Sequence, residues 1–353
     1  MVGKKSFYLI LVLFFLFSCS SKDNFPEWDE SFGESQELVS TPLLDEELIL
    51  GQPYLIHYVD SSLVIFDNIG DSLFIWVDLK ERNRVCRFGQ KGEGVDEFLQ
   101  VYSFCRLATE GTIGVYDYYR SALREMNVCS IRQGERELTY PILARDSINT
   151  FQLLLTKPGH YLGVGLYENA MFKLCDSLET RYFFEYPCAD NWERKISNRL
   201  RGMAYQGRFS SNKSLDRFVY AVRSAPMFML YSISGNELMK TYEWVGNYPE
   251  YRAEQTETYI SAPMSADNKI GFLAVYGTEK YVYLLYSGKK TREENLKAFQ
   301  GTSVYQLTWE GQPVRKFELD FPATNFCVSD DDTYMYALVN KGEIEIVQYS
   351  LKE

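Results

Sequence analysis

Histidine is scarce in this chain, whose 353 residues include only His57 and His160. We place His57 on a predicted innermost strand and His160 beside a hairpin turn at the other end of the strands, so the two are not expected to act together. The sequence also lacks a Gly-x-Ser-x-Gly nucleophile elbow, a phosphate-binding loop, and any cysteine spacing typical of zinc sites. We therefore assign no catalytic residue, metal ligand or cofactor site from the sequence.

Basic residues are also fewer than acidic residues. The chain carries 37 Lys and Arg residues against 48 Asp and Glu residues, a net charge of −11. Proteins that bind nucleic acid need a basic face for the phosphate backbone. The charge balance therefore argues against a nucleic-acid partner.

The apolar run at residues 7–17 is too short to span a bilayer comfortably, and it follows Lys4 and Lys5 as in a signal peptide. It ends in Leu16-Phe17-Ser18-Cys19, which resembles the bacterial lipobox. The resemblance implies cleavage before Cys19 and acylation of its thiol, hence a membrane anchor in the cell envelope, at the outer membrane. We expect a signal peptide at 1–18 and a flexible tether at 19–35, and leave open whether the protein is periplasmic or surface-exposed.

A two-stranded pattern recurs along the rest of the chain. Aromatic and β-branched residues flank tight polar turns in six stretches, at 55–67, 104–117, 151–166, 207–222, 272–286 and from 326 onward. A second hairpin follows each of the first five; in the second unit, where the pattern is weakest, its strands are predicted at 122–128 and 137–140. The unit is therefore four antiparallel strands, repeated about every 50 residues, which is typical of propeller blades. We predict an all-β, six-bladed β-propeller over residues 36–353.

The last unit is one strand short, because the chain ends after residues 343–351. A propeller closes its ring to avoid an open sheet edge. The stretch 37–50 precedes the first unit and offers apolar residues such as Leu38 and Leu43. We predict that this N-terminal stretch supplies the outer strand of the sixth blade.

The Phe-Gly-Gln-Lys-Gly-Glu-Gly sequence at residues 88–94, with Glu97 and Phe98, resembles the blade-to-blade signature of NHL-like and TolB-like six-bladed propellers. This signature is typical of many Bacteroidetes lipoproteins. Val95 and Asp96 stand where that pattern usually has Pro-Gly. The resemblance implies the same fold and carries little information about function.

The longest connections, at 88–103, 187–206, 246–271 and 287–301, are predicted to leave the blades on one face. Long loops on a rigid scaffold are where binding residues concentrate. The segment 287–301 is predicted to be helical, with a capping box from Thr291 to Glu294. Aromatic residues beside arginines suit glycans or peptides, although solvated loops with partly buried aromatics would look the same. The candidates on this face are Trp192, Arg194, Arg199, Arg201, Tyr248, Tyr251, Arg252 and Tyr259.

The sequence thus predicts a lipid-anchored module that binds or scaffolds a protein, peptide or glycan of the cell envelope. The alternative is a lactonase-like hydrolase with a divalent cation in the central channel, since some six-bladed propellers hold such an ion with Glu, Asn and Asp. Asn325 and Asp267, near the starts of innermost strands, are candidates for that role. The acidic stretch at residues 330–332 is expected to be a hairpin turn rather than a calcium site.

Overall fold

A computed structural model describes residues 23–44, 48–81, 84–135, 137–157, 159–176, 178–256 and 259–352. The expected signal peptide at 1–18 and the lipidation at Cys19 lie outside the described residues. Five mainly antiparallel sheets form the six blades of a propeller: blades 1 to 4 are separate sheets, and blades 5 and 6 share one eight-stranded sheet through the long strand Pro313–Val328. The predicted fold class is confirmed.

Each blade runs from an innermost strand to an outer strand. Blade 1 consists of Pro53–Val59, Ser62–Asp67, Ser72–Asp78 and Val85–Lys91; blade 2 of Val101–Arg106, Thr112–Asp117, Ala122–Asn127 and Ile142–Arg145; blade 3 of Thr150–Lys157, His160–Gly165, Phe172–Cys175 and Thr180–Phe183; blade 4 of Gly207–Ser211, Arg217–Val222, Met227–Ser234 and Glu237–Val245. Blade 5 consists of Phe272–Gly277, Tyr281–Tyr286, Gly301–Thr308 and the first part of the long strand Pro313–Val328, whose last part opens blade 6 before Tyr334–Asn340 and Ile344–Ser350.

The remaining elements are short. The α-helices are Phe25–Glu30, Val128–Gln133, Asn198–Ala204 and Thr291–Glu294, and the 3-10 helices are Glu193–Lys195 and Asn295–Phe299. The additional strands are Gln36–Leu38, Thr41–Pro42, Glu97–Phe98, Glu254–Gln255 and Ile260–Ser261. Helix Val128–Gln133 lies between the third and fourth strands of blade 2, so the outer strand expected at 137–140 forms instead at Ile142–Arg145.

The core lies between neighbouring blades. All six residues of Ser62–Asp67 are buried, because a middle strand of a blade is covered on both faces by the adjacent blades. Its central residues are accordingly Leu63, Val64, Ile65 and Phe66, which suit a strand buried on both sides. The aromatic excess of the sequence supplies much of this packing.

The N-terminal stretch closes the ring as predicted. Thr41–Pro42 pairs antiparallel with Ile344–Ser350, so it forms the outer strand of blade 6. The strand Gln36–Leu38 pairs in parallel with Phe317–Leu319 of blade 5. Between them, the Asp320 carboxylate accepts hydrogen bonds from the backbone and hydroxyl of Ser40, each 2.9 Å long. The chain therefore bridges the last two blades with two short strands instead of one long strand.

The signature at 88–98 joins blades 1 and 2. Gly89 has a φ of +68°, which glycine adopts without strain. The Glu97 carboxylate accepts a 2.7 Å hydrogen bond from the Gly94 amide, and Glu97–Phe98 pairs in parallel with the end of Val85–Lys91. The motif thus turns the chain back onto the blade it has just left.

Of the stretch 19–35 that was expected to be a tether, residues 19–22 lie outside the described residues, and the chain lies against the propeller from Asp23 onward. Helix Phe25–Glu30 lies on the outside of blades 4 and 5, and its Trp28 is buried. The Trp28 ring stacks on Trp244 at a centroid distance of 4.4 Å. Within the described residues, no helix is long and apolar enough to cross a bilayer.

Candidate functional site

The four long connections leave the same side of the propeller. In an antiparallel four-stranded blade, the connection from the second to the third strand and the connection to the next blade share one side. We call this side the long-loop face, and the opposite side, which carries the other hairpin turns, the turn face. The connections at 92–100, 184–206 and 246–271 join blades, and 287–300 joins the second and third strands of blade 5. The turn face also has one long connection, at 128–141.

Three of these connections touch one another. The Tyr251 hydroxyl donates a 2.7 Å hydrogen bond to the Glu193 carboxylate, which links 246–271 to 184–206. Arg292 forms a two-pronged pair with Asp267, at 2.6 and 2.9 Å, which links 287–300 to 246–271. The connections therefore form one continuous layer over blades 3 to 5.

Two of the predicted binding residues hold this layer together. Arg201 is only 3% exposed, and its guanidinium donates to the Tyr186 carbonyl and pairs with Glu185. Tyr251 is bound to Glu193, which is itself buried and also accepts from the Tyr205 hydroxyl. Burial and the Glu193 carboxylate raise the pKa of Tyr251 above its ordinary range. Both side chains are therefore occupied within the loops.

The other predicted residues do not converge. Trp192 and Tyr259 are 61% and 55% exposed, and Arg194 is exposed as well. Arg252 pairs with Glu254, Tyr248 packs against the core beneath, and Arg199 is partly buried. No ring contact or ion pair joins these six side chains to one another within the described part of the chain. They form the rim of the long-loop face rather than a pocket.

The helix in 287–300 begins differently from the prediction. Lys290, not Thr291, precedes helix Thr291–Glu294, and no side chain caps it. The Thr291 hydroxyl donates to the Ala266 carbonyl of the neighbouring connection. The capping box is therefore wrong, because a tertiary contact takes the hydroxyl that would have capped the helix.

The innermost strands of all six blades line a narrow central channel with a cavity of about 60 Å³. Its lining is mixed: Leu55, Ile56, His57, Ser103, Phe104, Cys105, Arg106, Gln152, Leu154, Arg208, Phe209, Ser210, Ser211, Ala274, Val275, Tyr276, Asn325 and Phe326. The Ser103 hydroxyl and the Gln152 side-chain carbonyl are buried and have no partner among the described residues. Unsatisfied polar atoms of this kind suit a channel that holds water or a polar ligand.

Two arginines stand at the channel mouth on the long-loop face. Arg208 is the second residue of the innermost strand of blade 4, and Arg223 directly follows the second strand of that blade. The Arg208 Nε donates to the Leu273 carbonyl at 3.3 Å. Desolvation, first, and then the positive charge of Arg208 lower the pKa of Arg223. The two like charges oppose each other, and water screens the interaction because Arg223 is exposed.

Aromatic rings surround these arginines. The Arg223 guanidinium lies 4.6 Å from the ring centroid of Phe299. The hydroxyls of Tyr102 and Tyr54 also interact electrostatically with it. The Tyr102 ring stacks near Phe151 on the next blade, at 6.4 Å. Within the described residues, neither Arg208 nor Arg223 has a carboxylate at ion-pair distance. We call these six residues, Tyr54, Tyr102, Phe151, Arg208, Arg223 and Phe299, the mouth cluster.

None of the six residues of the mouth cluster was among the predicted binding residues, although the positions of its two arginines in the sequence indicate the channel. Arg208 falls at the start of a predicted innermost strand, and Arg223 follows the same predicted hairpin. Both positions lie at the channel by the geometry of a blade. They were not predicted as binding residues because they lie in or beside strands and not in long loops.

The other end of the channel is closed by a bonded network. The Arg106 guanidinium pairs with Asp330 at 2.8 Å and donates to the Gly277 carbonyl and the Tyr276 hydroxyl. His57 lies beside it, and burial, with the Arg106 charge, lowers the pKa of His57 to about 3. His57 and Arg106 line both the channel and a separate cavity of about 370 Å³ on the turn face. They separate the two spaces.

The residues considered for a divalent cation are engaged elsewhere. Asn325 donates to the Tyr54 carbonyl, and Asp267 pairs with Arg292. Within the described residues, no group of three or more His, Cys, Asp or Glu side chains is placed to hold a metal ion. The described channel lining has two amides, Gln152 and Asn325, and no carboxylate. It does not supply the three or four ligands that the lactonase-like alternative requires.

The acidic stretch at 330–332 forms a hairpin turn. The Asp331 carboxylate accepts from the hydroxyls of Ser329 and Thr333, and Asp332 has a φ of +57°. Asp330 points instead to Arg106 and Lys213. The three carboxylates therefore serve separate local contacts.

Comparison with known proteins agrees with this architecture. The sequence model of the family described as TolB-like 6-blade propeller-like matches residues 31–331. Among solved structures, the chain is similar to a Bacteroides fragilis NCTC 9343 protein described as exported, with 13% identity, coverage of 90% of this chain and 95% of that chain, and a TM-score of 0.52. It is also similar to a member of the DUF4221 family from Bacteroides vulgatus ATCC 8482, with 10% identity, coverage of 90% and 97%, and a TM-score of 0.50. No curated protein matches. At these identities the likeness shows the fold alone.

Proposed function

We propose that this chain, which belongs to the TolB-like six-bladed propeller family, is a lipid-anchored module of the cell envelope. We further propose that it binds an acidic ligand at the mouth cluster. The observation that carries the proposal is the pair Arg208 and Arg223, which repel each other and lack a carboxylate partner in the described chain. A bound anion would relieve that repulsion. Guanidinium groups bind carboxylates with two parallel hydrogen bonds.

The surrounding rings define the rest of the ligand. Tyr54, Tyr102, Phe151 and Phe299 offer flat apolar faces beside the two charges. Such faces stack on sugar rings or on apolar side chains. An oligosaccharide or a peptide that carries carboxylates satisfies both requirements. Trp192, Arg194, Arg252 and Tyr259 would extend the contact surface at the rim.

The envelope location rests on the sequence at 16–19 and on the resemblance of the fold to a Bacteroides fragilis protein described as exported. Acylation of Cys19 would hold the protein on the membrane. Intact-mass analysis of the protein purified from membranes tests this step. We expect the mass of residues 19–353 plus acyl chains, and a Cys19→Ala variant without them; an unmodified mature chain would refute the anchor.

Binding is tested with the mature protein and two probes, galacturonic acid oligosaccharides and poly-glutamate peptides, by titration calorimetry. Loss of one charge-assisted contact costs about 1.5–3 kcal/mol, so Arg208→Ala and Arg223→Ala should each weaken binding by about 10-fold or more. Arg217→Ala is the matched control, because Arg217 is an exposed arginine that pairs with Glu310 on the turn face. Unchanged affinity in the Arg208→Ala/Arg223→Ala double variant, or no binding of either probe, would contradict the proposal.

A further inference from the structure

The described chain starts at the rim of the long-loop face. The Asp23 carboxylate pairs with Lys269 at 2.7 Å, and Lys269 lies in the connection 246–271. The backbone amide of Asn24 donates to the Gly246 carbonyl at 3.2 Å, and its side chain donates to the Val245 carbonyl. Residues 23 and 24 are thus held where blade 4 ends and the long connection begins.

The segment that follows is fixed in a groove between blades 4 and 5. The Phe25 ring stacks on Tyr286 at 4.2 Å, and Trp28 packs on Trp244 and Tyr305. Asp29 pairs with Lys316 at 2.8 Å. Buried aromatic pairs add stability beyond the area that they cover, so this docking fixes the direction from which the chain arrives.

Cys19 lies only four residues before Asp23. A fully extended chain spans at most about 3.6 Å per residue, so Cys19 can be no more than about 14 Å from Asp23. A lipid on Cys19 would therefore enter the bilayer beside the long-loop face. The turn face, on the far side of the propeller, cannot reach the same bilayer at the same time.

Exposed apolar side chains are concentrated on this same face. Ten of those in the described residues lie in its connections, among them Ile49, Val95, Trp192, Tyr259 and Leu296. In the described turns of the opposite face there is one, Leu178, and Ile142 and Tyr334 follow directly after such turns.

Connection length alone does not explain the asymmetry. The short connections at 68–71, 118–121 and 146–149 on the long-loop face each carry one exposed large apolar side chain, Ile69, Tyr119 or Ile148. The short turns at 60–61, 235–236 and 329–333 consist of Asp, Ser, Gly, Asn and Thr. Residue type therefore distinguishes the two faces at these connections, although 223–226 and 341–343 on the long-loop face carry no such side chain.

We propose that the long-loop face lies against the bilayer that holds the Cys19 lipid, with its apolar loop tips in the headgroup region. Tryptophan and tyrosine favour this region, and an apolar surface beside a lipid anchor adds buried apolar area to the membrane contact. The inference rests on the lipid anchor of the proposed function. It also narrows the ligand: the mouth cluster would face the membrane, so its acidic ligand would be a glycan displayed at the membrane surface, and the turn face would be left for soluble partners.

The test uses the lipidated protein, purified from bacterial membranes and reconstituted into liposomes of phosphatidylethanolamine and phosphatidylglycerol. Tryptophan fluorescence is measured with and without brominated phosphatidylcholine, which quenches only tryptophans in contact with lipid. Trp192 is 61% exposed on the long-loop face, and Trp28, Trp76 and Trp309 are buried. Trp244 is partly buried under Trp28 and is present in all the proteins compared, so it gives the same background in each. The variant Trp192→Phe removes the exposed reporter. The variant Trp192→Phe/Leu178→Trp moves the reporter to the turn face, at a position that is 92% exposed.

With bromines placed high on the acyl chains, we expect bromolipid to quench the wild-type protein at least about twice as strongly as either variant, because Trp192 would lie at the headgroup boundary close to those bromines. Co-flotation with the liposomes is recorded for each protein. If the proteins float and the variant with Leu178→Trp is quenched as strongly as the wild type, the orientation is wrong and the anchor stands. If the wild-type protein does not float, the anchor is wrong and the orientation falls with it.

Discussion

The two ends of the central channel carry the same type of side chain in opposite circumstances. At the turn face, Arg106 is paired with Asp330 and donates to a backbone carbonyl and a tyrosine hydroxyl. At the long-loop face, Arg208 makes one hydrogen bond to a carbonyl, and Arg223 lies over an aromatic ring. A carboxylate therefore neutralises the charge of Arg106, whereas within the described residues no carboxylate neutralises Arg208 or Arg223.

The difference shows how to read arginines in a propeller channel. A buried charge costs free energy unless it is paired, so Arg106 and its partners must be regarded as part of the frame that joins blades 2, 5 and 6. Arg208 is half-buried and Arg223 is exposed, and neither has a carboxylate at ion-pair distance among the described residues. Available donors of this kind favour a ligand, and occupied donors favour a structural role.

The largest expected effect is the loss of Arg106. Replacement by Ala leaves Asp330 and the Gly277 carbonyl without their main partner. Breaking a buried ion pair costs 3–5 kcal/mol, and Asp330 is partly solvated, so we expect Arg106→Ala to lower the free energy of unfolding by about 3 kcal/mol. Urea unfolding followed by circular dichroism measures this change. A loss below about 1 kcal/mol would mean that Arg106 is no more structural than Arg208.

The second effect is a pH dependence centred on His57, the neighbour of Arg106. The unfolded chain binds a proton on His57 near pH 6.5, whereas burial and the Arg106 charge lower the pKa in the folded protein to about 3. The free energy of unfolding therefore falls as the pH drops through this interval, by about 2 kcal/mol by about pH 5. The contribution is fully present above pH 6.5.

The variant His57→Gln isolates this contribution. Urea unfolding at several pH values between about 6.5 and 4.5 should show a shallower loss of stability in His57→Gln than in the wild type. Glutamates begin to titrate at the lower end of this interval, but they do so in both proteins, so their protonation cancels in the difference. Equal slopes in the two proteins would show that His57 is protonated in the folded state.

The architecture could be predicted from the sequence because a blade is a local pattern. Hairpins with apolar middle strands repeat at a constant interval, and the strands of one blade are consecutive in the chain. The missing strand at the C-terminus predicted closure by residues 37–50, and Thr41–Pro42 fills that place. Where the local pattern was weak, as at the outer strand of blade 2, the predicted position was wrong.

Contacts between distant segments could not be predicted in the same way. Thr291 bonds to Ala266 instead of capping its own helix, and Arg201 bonds to Tyr186 beneath the loops. The docking of Trp28 depends on a groove made by Trp244 and Tyr305, which are more than 200 residues away in the chain. Polar residues near the N-terminus indicated a tether because the sequence does not show which apolar surface lies within reach.

The third prediction concerns Lys213, which also pairs with Asp330, at 2.8 Å, but whose side chain is mostly exposed. Exposed ion pairs contribute little, so Lys213→Ala should lower the free energy of unfolding by no more than about 0.5–1 kcal/mol. The difference from wild type should shrink in about 1 M salt, because exposed charges are screened. A cost as large as that of Arg106→Ala would place Lys213 in the frame as well.

The smallest effect is expected at the mouth cluster. Arg208→Ala removes a single hydrogen bond to a carbonyl, and Arg223→Ala removes a contact with the Phe299 ring worth about 0.5–1 kcal/mol. Each substitution also relieves the repulsion between the two guanidinium groups. These contributions oppose each other, so each variant should unfold within about 0.5 kcal/mol of the wild type. Urea unfolding at low salt, where the repulsion is least screened, gives the clearest measurement. A loss of about 2 kcal/mol or more in either variant would mean that the mouth arginines are frame residues like Arg106, and their open donors would then no longer indicate a ligand.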